Sequence, residues 1–193
     1  MPLILPKPGM HELEEKRSKF YGYCAPVQTE EEARRVIDKI RTTYKGANHH
    51  VYAYEVSSCN IIRFSDDGEP HGTAGMPILT VFQKTGVINY VCVVTRYFGG
   101  TLLGAGGLVR AYTKSAKGAM EAADPQEQIF TKLYKVTCTY SQLDKVKYNF
   151  GKWGVEILNI DYTDHCMAIV QVRDELAEPF LNGGFYTFVE LVD

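Results

Sequence analysis

Residues 87–123 read VINYVCVVTRYFGGTLLGAGGLVRAYTKSAKGAMEAA, three kinds of chain in succession. VINYVCVVTRYF is dense in β-branched and aromatic residues, as a central strand is. GGTLLGAGG follows, with five glycines between Gly99 and Gly107, and cannot continue that strand. LVRAYTKSAKGAMEAA, from Leu108 on, predicts a helix. A strand that runs through a glycine loop into a helix belongs to a fold of mixed α and β character, and the flanking segments extend it.

Upstream, FYGYCAPV at 20–27 predicts a strand. Thr29 then caps a helix whose first turn holds Glu30, Glu31 and Glu32, and whose apolar stripe is Ala33, Val36, Ile37 and Ile40. HHVYAYEV and NIIRF read as two strands joined by Ser57-Ser58-Cys59. SDDGEPHGTAG is loop, and MPILTVFQKT a short helix with Pro77 in its first turn. The order to this point is β-α-β-β-α-β-α.

Downstream, the polar run Asp124-Pro125-Gln126-Glu127-Gln128 separates an N-terminal domain, 1–124, from a C-terminal one, 130–193. In the latter, KLYKVTCTY, VEILNIDYT, HCMAIVQV and FYTFVELV are strands, and SQLDKVKYNFGKW is a helix capped by Ser141. RDELAEPFLNGG leaves room for a short second helix, limited by Pro179 and Gly183-Gly184. The resulting β-α-β-β-α-β order is the split βαβ, or ferredoxin-like, arrangement. The fold class expected is α+β, in two domains of unequal size.

Over 193 residues the chain is 45% hydrophobic and 23% charged, with 21 Lys and Arg against 23 Asp and Glu. That balance describes a globular protein and excludes a collagen-like, coiled-coil or disordered one. No apolar run is long enough to span a bilayer, and MPLILPKPGMHELEEKRSK lacks the order of a secretory signal, so a cytoplasmic protein with no membrane partner is expected. Cys24, Cys59, Cys92, Cys138 and Cys166 form no CxxC pair. They are expected to be buried small hydrophobes, with no metal and no cofactor.

Charge is unevenly placed. Between Glu69 and Glu121 there is no acidic residue, while Lys84, Arg96, Arg110, Lys114 and Lys117 are basic. Any anion-binding surface therefore belongs to the N-terminal domain. Backbone amides at the start of the helix, approached closely through Gly99, Gly100, Gly104, Gly106 and Gly107, can hold a phosphate beside Arg96. Arg110, Lys114 and Lys117 fall on one helical face and can extend the site along a polyanion, with Tyr97, Phe98 and Tyr112 as stacking surfaces. Tight turning and a solvated helix face account for the same residues without a ligand. The loop has neither Walker A nor dinucleotide-fingerprint spacing.

Asp66, Asp67, Glu69 and His71 form a second constellation. It can hold a cation or pair a base with a carboxylate, and it also reads as a plain turn, the reading we favour. His49 and His50 open a strand and point to opposite faces, and Trp153 reads as a core anchor. No serine or cysteine shows a nucleophile-elbow pattern, so covalent catalysis has no support.

RYFGG followed by LGAGGLVRAY, with DDGEP and GTAG upstream, resembles the IMPACT family (the YigZ, or uncharacterised-protein-family 0029, group). Arg96, Tyr97, Phe98, Gly99, Gly100, Leu103, Gly104, Gly106, Gly107, Leu108 and Arg110 occupy that family's signature. Asp66, Asp67, Gly68, Glu69, Gly72, Thr73 and Gly75 occupy its upstream block. The resemblance implies a ribosomal protein S5 domain 2-like N-terminal domain, similar to domain four of translocation elongation factors, and a ferredoxin-like C-terminal domain, similar to their domain five. The segment for the second C-terminal helix is shorter than the family's usual one. Eukaryotic members share only the N-terminal domain and regulate translation under amino-acid stress. The function expected is thus a non-enzymatic, translation-linked regulator that binds RNA or the ribosome. Two alternatives stand beside it, a metal-dependent hydrolase at Asp66, Asp67, Glu69 and His71 and a docking module for a translation factor.

Overall fold

The computed structural model describes residues 2–184 and 186–192. Two compact units divide it, Met1–Gln128 and Ile129–Asp193. In the first, the elements are β1 (Leu3–Ile4), β2 (Gly9–Glu15), β3 (Ser18–Pro26), α1 (Glu30–Thr43), β4 (His49–Val56), β5 (Ile61–Ser65), α2 (Gly75–Thr85), β6 (Tyr90–Tyr97), α3 (Ala105–Ala122) and β7 (Gln126–Glu127). A five-stranded antiparallel sheet has the order β2-β3-β6-β4-β5, while β1 pairs with β7.

Alternation along β6 creates two cores. Tyr90, Cys92 and Val94 point to the side covered by α2 and α3, with Phe20, Ile78, Phe82 and Tyr112. Val91 and Val93 point to the side covered by α1, against Ala33, Ile37 and Ile40. A central strand covered on both faces needs the continuous apolar run that its sequence shows. Arg96 stands in the row of Tyr90, Cys92 and Val94, so the period of two carries a charged side chain into the α3 side of the core.

The charged N-terminal stretch, to which the sequence assigned no element, holds GMHELEE as the edge strand β2. His11 and Leu13 are half-buried, while Met10, Glu12 and Glu14 face outward. Its turn to β3 is made by Lys16 (φ 48°) and Arg17 (φ 66°), two non-glycine residues in the left-handed region. Such two-residue hairpins ordinarily announce themselves by Asn-Gly or Asp-Gly, which this chain lacks there. α3 also begins at Ala105 rather than Leu108, so Gly106 and Gly107 form its first turn.

The second unit contains β8 (Thr131–Cys138), α4 (Tyr140–Trp153), β9 (Glu156–Tyr162), β10 (Cys166–Arg173), α5 (Ala177–Leu181) and β11 (Phe188–Val192). Its four strands form one antiparallel sheet in the order β11-β8-β10-β9. The second helix is five residues after a 3-10 turn, short as expected, and the sheet is nonetheless four-stranded. Thr139, not Ser141, caps α4, in a capping box with Gln142. The strand expected from Phe185 begins at Phe188, and Phe185 itself lies outside the described residues. Trp153 packs against this unit's core.

Four of the cysteines are buried and Cys59 is exposed, because it sits in the 3-10 turn between β4 and β5. Burial pushes the Cys24 thiol up to about 12, so it stays protonated in the core. Among the described residues, no helix is long and apolar enough to cross a membrane.

Candidate functional site

Strand register assembles the centre of the site. His49 of β4 and Phe20 of β3 lie on either side of Arg96 in β6. Arg96 is 5% exposed and donates from Nη1 to Oε1 of Glu69 at 2.7 Å and from Nη2 to Oγ of Ser18 at 3.3 Å. Its guanidinium sits 5.5 Å from the ring centroids of both Phe20 and Phe98. Tyr112, from α3, donates to the same Oε1 at 2.7 Å. Burial raises the Tyr112 phenol well above its usual range and the Glu69 carboxylate adds to this, so it remains a donor.

Arg96 is therefore not the exposed phosphate contact that its place beside the glycine loop suggested. Its charge is spent on Glu69, and the pair ties the acidic loop to the end of β6. Nη1 and Nη2 of Arg96 are satisfied in this way, while its buried Nε has no hydrogen-bond partner among the described residues.

The acidic constellation divides by role. Asp66 accepts backbone N–H bonds from Gly72, Ala74 and Gly75, closing the loop and satisfying the start of α2. Asp67 accepts from the His50 amide at 2.6 Å and from Arg41 at 3.2 Å. His71 is fully exposed, 3.8 Å from Asp66. Among the described residues no three His, Cys, Asp or Glu side chains are grouped to hold a metal ion. Burial by itself would raise the Asp66 carboxyl, but the amides of Gly72, Gly75 and Ala74 outweigh it and hold the group below the ordinary carboxylate range. Its stabilising contribution is complete at neutral pH and is lost as pH falls through that depressed value. Asp66→Asn should therefore be less stable than the wild type at neutral pH and show a flatter acid limb in a stability-versus-pH curve; superimposable acid limbs would contradict this role.

The two motifs, distant in sequence, meet at one cleft of about 390 Å³. Glu69, Arg96 and His49 lie at its polar end, and Pro70, Phe98, Leu102, Leu103 and Leu108 supply apolar wall. Phe98 is 43% and Leu102 81% exposed. His49 Nδ1 lies 2.8 Å from the Asp67 carbonyl oxygen, which can only accept, so Nδ1 carries the proton. Its Nε2 then stands 3.8 Å from Glu69 Oε1. His49 was missed by sequence reasoning, since only the pairing of β4 with β6 brings it to Arg96.

At the mouth of the cleft, Gly104 (φ 72°) caps α3 without a side-chain bond, and the first turn holds no acid. The amides of Ala105, Gly106 and Gly107 precede the first i to i−4 bond, Leu108 N–H to Gly104 O, and so have no partner within the helix. Gly99 serves packing instead. A Cβ there would lie 2.0 Å from the Arg17 carbonyl oxygen, so the bare glycine lets the β2–β3 turn rest against the loop. Tyr97 is half-buried, donating to the Lys45 carbonyl and set edge-on to Tyr21. Of the three aromatics proposed for stacking, Phe98 alone stands exposed, since Tyr112 is in the core.

The outer face of α3 carries exposed Arg110, Lys114 and Lys117. Arg110 and Lys114 join Lys16 and Glu15 around a depression of about 120 Å³ that also touches Gly107. Lys117 pairs with Glu121 at 3.6 Å. Arg110, Lys114 and Lys16 have no ion-pair partner among the described residues.

Residues 16–120 match the family described as the Impact N-terminal domain, and residues 136–182 match the Domain of unknown function (DUF1949). A Haemophilus influenzae protein named IMPACT family member is 35% identical over 181 residues, 92% of this chain and 88% of that protein. The Protein IMPACT of Oryctolagus cuniculus is 34% identical over 94 residues, 47% of this chain and 30% of that protein. Among solved structures, the crystal structure of a hypothetical protein superposes with a TM-score of 0.64 at 30% identity, covering 98% of this chain and 95% of its own.

Proposed function

The chain belongs to the IMPACT family, and from that premise we propose that it is a translation-linked regulator that binds RNA, free or within the ribosome, through the outer face of α3 and the turn beside it. One observation carries the reading. Arg110, Lys114 and Lys16 converge, without ion-pair partners among the described residues, on a depression next to the uncapped amides of α3. Three cations without ion-pair partners, outnumbering Glu15 around a depression that reaches Gly107 in the first turn of α3, suit a run of phosphates, and the acid-free segment 70–120 limits repulsion of a polyanion. The contact set differs from the sequence expectation, with Lys16 entering, Arg96 leaving to its pair with Glu69 and Lys117 leaving to its pair with Glu121.

The same proposal extends to the domain types. The β-α-β-β-α-β order and the β11-β8-β10-β9 sheet support a ferredoxin-like second unit. The helix-flanked sheet of the first is what we assign to the S5 domain 2-like type.

Binding to a short RNA and to ribosomes, followed across a salt series, tests the reading. Each phosphate neutralised contributes roughly 0.7–0.9 to the slope of log affinity against log salt. The double variant Arg110→Ala/Lys114→Ala should lower the magnitude of that slope by about two, with thermal stability unchanged. A slope untouched by the double variant would place the RNA elsewhere or nowhere.

A further inference from the structure

The cleft between the two signature motifs holds a buried carboxylate with one oxygen left over. Glu69 has a side chain only 3% exposed, and the bonds from Arg96 and Tyr112 both fall on Oε1. Oε2 accepts nothing from a described residue, and Glu69 lines the cleft. With Arg96 and Tyr112 both donating to Oε1, Oε2 is left as an acceptor in a wall that Pro70, Phe98, Leu102, Leu103 and Leu108 make largely apolar. His49 is held beside it with its Nδ1 proton committed to the Asp67 carbonyl. Exposed Phe98 and Leu102 line the same cleft, as do Gly104 and Ala105 at the start of α3, where the amides of Ala105, Gly106 and Gly107 have no partner within the helix.

Those groups define a ligand with three parts in fixed order: a hydrogen-bond donor at the deep end, a flat apolar body and an anion at the helix start. We infer that the cleft takes a single unpaired nucleotide whose base carries an exocyclic amino group, the amino group donating to Glu69 Oε2, the base lying against Phe98 and the phosphate at the amides of residues 105–107. The inference rests on the RNA reading above and sharpens it, since those amides adjoin the depression held by Arg110 and Lys114. Cytosine meets the requirement through its amino group. Uracil, the same size, presents a carbonyl oxygen at that position and sets acceptor against acceptor. The cleft therefore discriminates two isosteric bases by one atom.

The experiment compares a short oligo(C) with an oligo(U) of equal length at one salt concentration, with free CMP and UMP as competitors. Oligo(C) should bind roughly ten-fold more tightly, as a bond to a charged acceptor warrants. In Glu69→Gln the amide oxygen must face the Arg96 donor, which turns the amide NH2 toward the cleft. The preference should then reverse toward oligo(U), a result that no loss of fold produces. Phe98→Ala, at an exposed position, should cost both oligomers roughly ten-fold through lost stacking. Should Glu69→Gln fail to fold, Phe98→Ala together with the wild-type comparison still decides the matter. CMP competing as strongly as an equal concentration of oligo(C) nucleotides would identify the ligand as a free nucleotide in the same cleft. Equal affinity for oligo(C) and oligo(U), with the salt slope intact, would overturn the inference and leave the proposed function standing. No binding of either oligomer even at low salt would overturn the proposed function and this inference with it.

Discussion

Arg96→Ala should lower the free energy of unfolding by about 3–5 kcal/mol, because it strands the Glu69 carboxylate in the core with only Tyr112 left to solvate it. The side chains of the pair are 6% and 3% exposed, so cleft water at Oε2 cannot replace the guanidinium at Oε1. Glu69→Ala should cost a similar amount by stranding the guanidinium. Replacing both together, as Arg96→Met with Glu69→Leu, should recover most of the loss, since neither charge is then left buried. Urea denaturation of the two single variants and the double one gives the coupling directly. Single losses below about 1 kcal/mol would show that the pair is solvated and that the acidic loop is not tied to β6 as described.

Gly22→Val should destabilise by about 3 kcal/mol through overpacking. α3 lies so close on β3 that a Cβ at Gly22 would stand 2.5 Å from the Ser115 carbonyl oxygen, and backbone cannot yield as a side-chain tip does. Because α3 bears Arg110 and Lys114, displacing it also moves the surface assigned to RNA. Gly106→Ala has the opposite sign. Nothing lies within 4 Å of a Cβ there, and an alanine in the helix should gain about 0.5–1 kcal/mol by restricting the unfolded chain. Thermal melts of the two variants should therefore move in opposite directions. A Gly22→Val protein as stable as the wild type would mean that α3 does not rest on the β3 backbone.

Much of the fold was readable from residue periodicity. The apolar run of β6, the Thr29 cap with three glutamates behind it and the stripe of α1 each follow from local chemistry that the tertiary structure does not override. β2 was not readable, because an edge strand tolerates charge on its open face and its turn uses lysine and arginine in place of glycine. The cap of α4 fell two residues from its expected place, since threonine and serine are equally good caps and only the Gln142 reciprocal bond decides between them.

The site was legible in its parts and not in its assembly. Glycines, acidic loop and basic helix face all stand out in the chain, but their meeting depends on strand order, which one sequence does not disclose. Arg96 illustrates the consequence. Its neighbours in sequence make it a phosphate ligand, whereas its neighbours in register, Phe20 and His49, make it the buried partner of Glu69. Lys16 was passed over for the converse reason, since the hairpin that brings it to Arg110 and Lys114 was itself unread.

The most direct test of the central claim is amide chemical-shift mapping of the 21.7 kDa protein titrated with a short single-stranded RNA. The account predicts perturbations at the β2–β3 turn at Lys16 and Arg17, at the start of α3 at residues 104–107 and on the face holding Arg110 and Lys114, with Glu69 and Phe98 shifting as well where the cleft takes a base. Perturbations centred instead on β5 and α1, or on the second unit, or none at saturating RNA, would contradict it.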